Sequence, residues 1–221
     1  MNPESVGYEW FDAQAVLSSA LASDALDELD LRHQSLAPGI RPLTDNSAIV
    51  GRAFTVWANP TDRLSDPPYE GLLRALDSVE EGDVFVYATG RSTRAAVWGE
   101  LISAACLNRR VVGVVTDGLA RDTRKIRDLG FPVFCCGSLP TDVHGRLEVA
   151  FHGRPVEIDG VQIRPGDLIV ADDDGVVIIP AEVESAVLKR CIEKYHEERR
   201  FLDAVSHGMG AEQAFGRFKV L

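Results

Sequence analysis

The chain has 221 residues, 45% of them apolar and 26% charged, and carries a formal net charge of −11. That length supports one packed domain over residues 1–221. The acidity, with no Lys/Arg cluster, argues against a nucleic-acid partner, and a carboxylate substrate would need local cations such as Arg91, Arg94 and Arg121.

In chain order, residues 12–30 read as a helical region with Val16, Leu17, Leu21 and Leu26 apolar. Ile49–Val56 reads as a strand and 59–68 as a loop rich in Pro and Asp. A helix over 69–80 and a turn at Gly82-Asp83 lead to a strand over Val84–Tyr87. Residues 97–109 read as an amphipathic helix, 111–115 as a buried strand, 122–129 as a short helix and 132–135 as a further strand. This βαβαβ order predicts a parallel core. After Gly137 come short apolar strands at 147–151, 155–158, 161–163, 168–171 and 176–179, which predict an antiparallel meander packed on that core. A long helix over 181–206 follows, with Val183, Val187, Cys191 and Tyr195 at i, i+4 spacing, and a short helix after Gly210. The expected architecture is a single layered α/β/β domain.

The N-terminus lacks a basic region followed by an apolar core, and no apolar run reaches membrane-spanning length, so a cytoplasmic protein with no membrane association is expected. Cys106, Cys135, Cys136 and Cys191 have no metal spacing and read as reduced thiols, with Cys135 and Cys136 facing opposite sides of a strand. Asp172-Asp173-Asp174-Gly175 lacks the spacing of a calcium loop and reads as a hairpin turn. Gly113 and Gly118 have the spacing of a phosphate loop, but Leu119-Ala120 replace its Lys-Ser/Thr, so nucleotide binding is excluded. No histidine needs to be catalytic.

The most informative residues are Glu100, Arg121 and Asp122. Twenty residues lie between Glu100 and Arg121, room for a helix, a turn and a strand. An acid at a helix start and an Arg-Asp pair beyond a strand end can meet across one cleft. Two oxygen donors suit a hard cation such as Mg²⁺, and the guanidinium suits an anionic substrate oxygen. Spacing alone leaves open a plain surface ion pair and an acidic first helical turn.

The stretch Trp98-Gly99-Glu100-Leu101, then Val112–Gly118, Arg121-Asp122, Gly130–Phe134, Val161–Asp167 and Ala171–Pro180 resembles the RraA-like family, in the same order from about Ser23 to the C-terminus. That family includes the 4-hydroxy-4-methyl-2-oxoglutarate/4-carboxy-4-hydroxy-2-oxoadipate aldolases. The resemblance implies a divalent-metal-dependent, class II lyase. Such an enzyme releases pyruvate from a 4-hydroxy-2-oxo (di)acid and decarboxylates oxaloacetate as a side activity. It implies Mg²⁺ or Mn²⁺ held by Asp122, with Glu100 reaching it through water and Glu198 reaching a neighbouring subunit's site. Gly99, Glu100, Leu101 and Ile102 would hold the substrate carboxylate at a helix start. Arg121 would bind substrate and neutralise the enolate, and Glu100 would tune a proton-carrying water. Residues 59–68 with Arg91 and Arg94 would meet the distal substrate group. A homotrimer or hexamer is implied. Where the aldolase branch has an acid, three positions after Asp122, this chain has Lys125. The alternative implied by the same family is a regulator that binds RNA-degrading enzymes without catalysis. Glu197 and Glu198 lie in a charge run that also suits a solvated helix face.

Overall fold

The computed structural model describes residues 16–44 and 47–220. The predicted start of the first helical region, residues 12–15, falls outside them. The elements are α1 (Ser19–Asp27), β1 (Arg41–Pro42), β2 (Ile49–Pro60), α2 (Glu70–Ser78), β3 (Asp83–Ala88), β4 (Ala96–Trp98), α3 (Glu100–Asn108), β5 (Gly113–Thr116), β6 (Leu119–Ala120) and α4 (Thr123–Leu129). They continue with β7 (Val133–Cys135), β8 (Leu147–His152), β9 (Val156–Ile158), β10 (Val161–Ile163), β11 (Leu168–Asp172), β12 (Gly175–Ile179), α5 (Glu184–Ser206) and α6 (Ala211–Phe218).

The parallel core expected from the βαβαβ order is β2, β3, β5 and β7 side by side. The meander is less separate than its sequence suggests. β2 is long enough to serve two antiparallel neighbours on one edge: β11 pairs with its first residues and β8 with its last. The β11–β12 hairpin thereby extends the main sheet, and of the described meander strands β9 and β10 form a two-stranded sheet apart from it. Asp172 pairs with Gly175, which leaves Asp173-Asp174 as the predicted two-residue turn. The Asp172 carboxylate accepts hydrogen bonds from Ser19 N and Ser19 Oγ, so it ties α1 down.

Side-chain alternation sorts the sheet into two buried faces. In β3, Phe85 and Tyr87 join Trp98, Phe131 and the buried sides of α2, α3 and α4. Val84, Val86 and Ala88 point the other way, toward Val156, Ile158, Val161 and Ile163 of β9–β10. Leu168 and Val170 of β11 and Val177 and Ile179 of β12 meet Leu21, Ala22, Ala25 and Leu26 of α1 and Val187, Leu188 and Cys191 of α5. The predicted i, i+4 stripe of α5 is thus the buried one. Helices therefore cover one face of the sheet, β9–β10 covers much of the other, and α1 with α5 seals the hairpin end. The four cysteines are free, with Cys135 buried and its neighbour Cys136 half-buried on the opposite side. Among the described residues no helix is long and apolar enough to cross a membrane.

Candidate active site

The C-terminal ends of β3, β5 and β7 open on one side of the molecule, where ligands of open α/β sheets gather. Two strands too short for sequence periodicity to reveal stand there, β4 and β6, paired in parallel. Asp117 anchors the loops that lead to them. It is buried and accepts hydrogen bonds from Thr89 N, Thr89 Oγ1 and Arg91 N, each within 2.8 Å. Its lone pairs are spent on backbone and hydroxyl donors, which makes it structural.

The predicted helix over 97–109 begins three residues later than expected, because Ala96–Trp98 is strand. Trp98 is buried between Phe85 and Phe131. Its indole N–H donates to Ser103 Oγ at 2.8 Å, and that hydroxyl donates to Gly99 O at 2.9 Å, which fixes the first turn of α3. Gly99 is the N-cap residue and offers no side chain to the amides of Glu100, Leu101 and Ile102. Those amides are left for an anion, and the helix dipole favours one. Gly99 also permits a close approach: a Cβ there would lie 3.2 Å from Asp122 Oδ2 and 3.3 Å from Arg121 Cγ.

Arg121 N donates to Trp98 O at 2.8 Å, so the Arg-Asp pair is stitched to the base of α3. The bend that lets adjacent residues serve one site is supplied by Asp122, whose φ of 56° and ψ of 31° are left-handed. Asp122 precedes α4 but its side chain does not cap that helix. Its Oδ2 lies 3.8 Å from Arg121 Nε. Gly99, Glu100, Leu101, Ile102, Arg121 and Asp122 thus line one cleft of about 280 Å³.

Two residues that sequence reasoning missed complete its charged end. Asp142 Oδ1 is 3.1 Å from Arg121 Nη2, and its Oδ2 accepts from Tyr69 OH at 2.7 Å and from His144 N at 3.0 Å. Burial pushes the Asp142 carboxyl up, but those two hydrogen bonds and the Arg121 charge outweigh it and hold the group below the usual carboxylate range. The bond to Asp142 in turn pushes the Tyr69 phenol up. Asp142 follows β7 by a few residues and could have been found as an acid beyond the C-terminal end of a parallel strand. Tyr69 carried no such signal.

Lys125, on the first turns of α4, donates to Glu100 Oε2 at 2.7 Å, and this hydrogen bond pushes the Lys125 ammonium up. The position that differs from the aldolase pattern therefore touches the predicted site acid. Arg91 and Arg94 are committed elsewhere. Arg91 forms a forked pair with Asp159, with Nη2–Oδ2 at 2.6 Å, and Arg94 pairs with Asp62 in the 59–68 loop. Glu198 is half-buried on α5, outside the cleft of its own chain.

Among the described residues, no three His, Cys, Asp or Glu side chains converge as a metal cluster. The donor chemistry still suits Mg²⁺, which dehydrates reluctantly and is commonly held by one or two carboxylates with water and substrate completing its shell. Asp122 is an oxygen donor open to the cleft, and Glu100 stands on the same rim.

A family model described as RraA-like, Aldolase/RraA, matches residues 19–178. Protein DlpA of Legionella pneumophila is 32% identical over 89% of this chain, although the chain spans only 32% of DlpA. A protein of Halalkalibacterium halodurans provisionally named 4-hydroxy-4-methyl-2-oxoglutarate aldolase is 36% identical, over 87% of both chains. The solved structure of Streptomyces coelicolor RraAS2, described as an unusual member of the RNase ES inhibitor RraA protein family, superimposes with a TM-score of 0.75 at 29% identity, over 87% of this chain and 92% of that one.

Proposed function

The chain belongs to the RraA-like family, and from that premise we propose that it is a divalent-metal-dependent lyase that cleaves a 4-hydroxy-2-oxo acid to pyruvate and a carbonyl product. One observation carries the reading: Arg121, Asp122 and the uncapped start of α3 line the same cleft. The provisional aldolase name of the Halalkalibacterium relative supports it.

In this reading the amides of Glu100, Leu101 and Ile102 bind the substrate carboxylate. Asp122 would hold Mg²⁺ or Mn²⁺, with Glu100 and Glu198 of a neighbouring chain as the further acids of the site. When bound, that ion supplies Lewis acidity to the 2-oxo group. Arg121 places its guanidinium against the oxygen that gains charge as the C3–C4 bond breaks. Asp142 and Tyr69 fix the rotamer of Arg121, so less reorganisation is needed as that charge develops. Glu100 accepts the proton of the 4-hydroxyl through a water. Lys125 orients the Glu100 carboxylate. The same stabilisation of an enolate extends to loss of CO₂ from oxaloacetate as a side activity.

The test is pyruvate release from a panel of 4-hydroxy-2-oxo acids and from oxaloacetate, with Mg²⁺, with Mn²⁺ and with EDTA. Release that stops in EDTA and returns with metal is expected. Full release in EDTA would sink the metal role. The likeness to RraAS2 favours a second reading, a regulator that binds an RNA-degrading enzyme. An Asp122→Ala chain that keeps its whole biological effect would select that reading.

A further inference from the structure

We infer that Lys125 is a resident cation that competes with the divalent ion for Glu100 and so keeps that ion loosely held. This rests on the lyase reading above and deepens its metal site.

Glu100, Asp122 and Asp142, acids that line the cleft, each face a cation of their own chain. Arg121 serves two of them, with Nη2 3.1 Å from Asp142 Oδ1 and Nε 3.8 Å from Asp122 Oδ2. Lys125 serves Glu100 and donates to its Oε2 at 2.7 Å. Both the Glu100 and the Asp122 charges act on that ammonium. The placement follows from the backbone. The bond from Arg121 N to Trp98 O sets two helix starts side by side. Glu100 is the first residue of α3 and Lys125 the third of α4, so one reaches the other.

A carboxylate bonded to an ammonium offers an arriving ion a field that is already partly cancelled, and one oxygen fewer. The hold that orients Glu100 therefore also withholds it. The pair is open to water, with the Lys125 side chain 60% exposed and that of Glu100 32% exposed. An exposed pair is weak enough for a divalent ion to break. Lys125 thus lowers the affinity of the site by a few-fold without closing it. In the lyase reading Glu198 of a neighbouring chain adds a further acid. The Lys125–Glu100 contact lies within one chain, and the assembled protein is the one to measure.

The experiment determines the Mn²⁺ dissociation constant of the assembled protein without substrate, with free Mn²⁺ read by electron paramagnetic resonance. Lys125→Met should bind Mn²⁺ about three- to fivefold more tightly than the wild type. Lys125→Arg keeps a cation beside Glu100 and should bind no more tightly. Arg124 controls for charge alone. It is exposed one position earlier and makes no hydrogen bond or ion pair among the described residues, so Arg124→Met should stay within about 1.5-fold of the wild type. In a Glu100→Gln background Lys125→Met should change nothing further, because the lysine acts through that carboxylate.

A constant in Lys125→Met that is unchanged or weaker would overturn the inference. So would equal tightening in Arg124→Met. Tightening that survives in the Glu100→Gln background would overturn it too, by showing that Lys125 acts on another acid, such as one from a neighbouring chain. Each of these leaves the lyase reading standing. No Mn²⁺ bound by the wild type would take the metal out of that reading, and this inference with it.

Discussion

In the layer built by α1 and α5, charge is closed off pair by pair. Lys194 is buried and donates to Asp24 Oδ2 at 2.5 Å. Arg190 donates from Nε to Glu28 Oε2 at 2.6 Å and from Nη1 to Glu197 Oε2 at 3.1 Å. The hydrogen bond from Arg190 holds the Glu28 carboxyl below its usual range. These ions sit over a layer of Leu21, Leu26, Leu168, Val187 and Ile179 and give it a fixed seat. At the cleft the same residue types are arranged differently. Arg121 is shared between two carboxylates, Asp122 takes left-handed backbone without capping its helix, and the amides at the start of α3 have no side-chain acceptor. The first arrangement spends the donors of Lys194 and Arg190 on carboxylates of the chain itself. The second leaves donors and acceptors for something else, which is the physical mark of a site.

Two substitutions break the comparison from opposite sides. Asp122→Ala should lower kcat/KM for pyruvate release by about a thousandfold, on the scale of losing an essential electrostatic partner, with the melting temperature nearly unchanged because an exposed ligand carries little packing. Leu26→Ala should do the reverse. That side chain is 1% exposed between α5 and the β11–β12 hairpin, and its truncation leaves a cavity costing about 2–5 kcal/mol. Activity per folded molecule should stay within about twofold, since the layer touches none of the cleft. Melting curves and initial rates on the same samples check both. A stable, fully active Asp122→Ala chain would count against the site.

Arg121→Lys keeps the charge but gives up the planar fork that faces Asp122 and Asp142 at once. A loss of about 30- to 100-fold in kcat/KM is expected, mostly in kcat if the guanidinium acts on developing charge. A Lys that works as well as Arg would remove the clamp from the mechanism.

Glu198 tests whether the sealed layer and the cleft are as independent as one chain suggests. It lies on α5, outside its own chain's cleft. If it closes a neighbour's site, Asp122→Ala and Glu198→Ala chains, each inactive, should complement when unfolded together, mixed equally and reassembled. Random assortment leaves about a quarter of the sites with both groups, so recovery of about a quarter of wild-type activity is expected. Mixed oligomers with no recovery would return Glu198 to solvated surface.

The contrast also explains what was legible beforehand. The parallel core and the α5 stripe were readable because burial imposes a period: Val187 and Cys191 recur on one helix face, and Phe85 and Tyr87 alternate with Val84 and Val86. Glu100, Arg121 and Asp122 were readable as an ordered motif, and the left-handed bend at Asp122 supplies the geometry that spacing alone left open. β4 and β6, with three and two residues, are too short to show a period. Joining the hairpin to the main sheet depended on the length of β2, not on any feature of the hairpin itself. Asp142 and Tyr69 are 73 positions apart, and a hydrogen bond between two loops leaves no local pattern.

That last pair supports the smallest prediction. Tyr69→Phe removes one of the donors that hold the Asp142 carboxyl low, while His144 N and the Arg121 charge remain. The Asp142 pKa should therefore rise part of the way toward an ordinary aspartate. The sign follows from the lowered value. A carboxylate whose folded pKa is depressed contributes its interactions above its unfolded pKa, about 3.9, and loses them as pH falls through the folded pKa. In the wild type Arg121 stays clamped until the pH drops below the ordinary carboxylate range. In Tyr69→Phe protonation begins at higher pH, so the acid limb of the kcat/KM profile should move up, with the rate at neutral pH within about threefold of wild type. Asp142→Asn, which cannot titrate, should lose the clamp at every pH and show no such limb. An acid limb that stays in place in Tyr69→Phe would mean that Tyr69 shapes the cleft wall without governing the charge that positions Arg121.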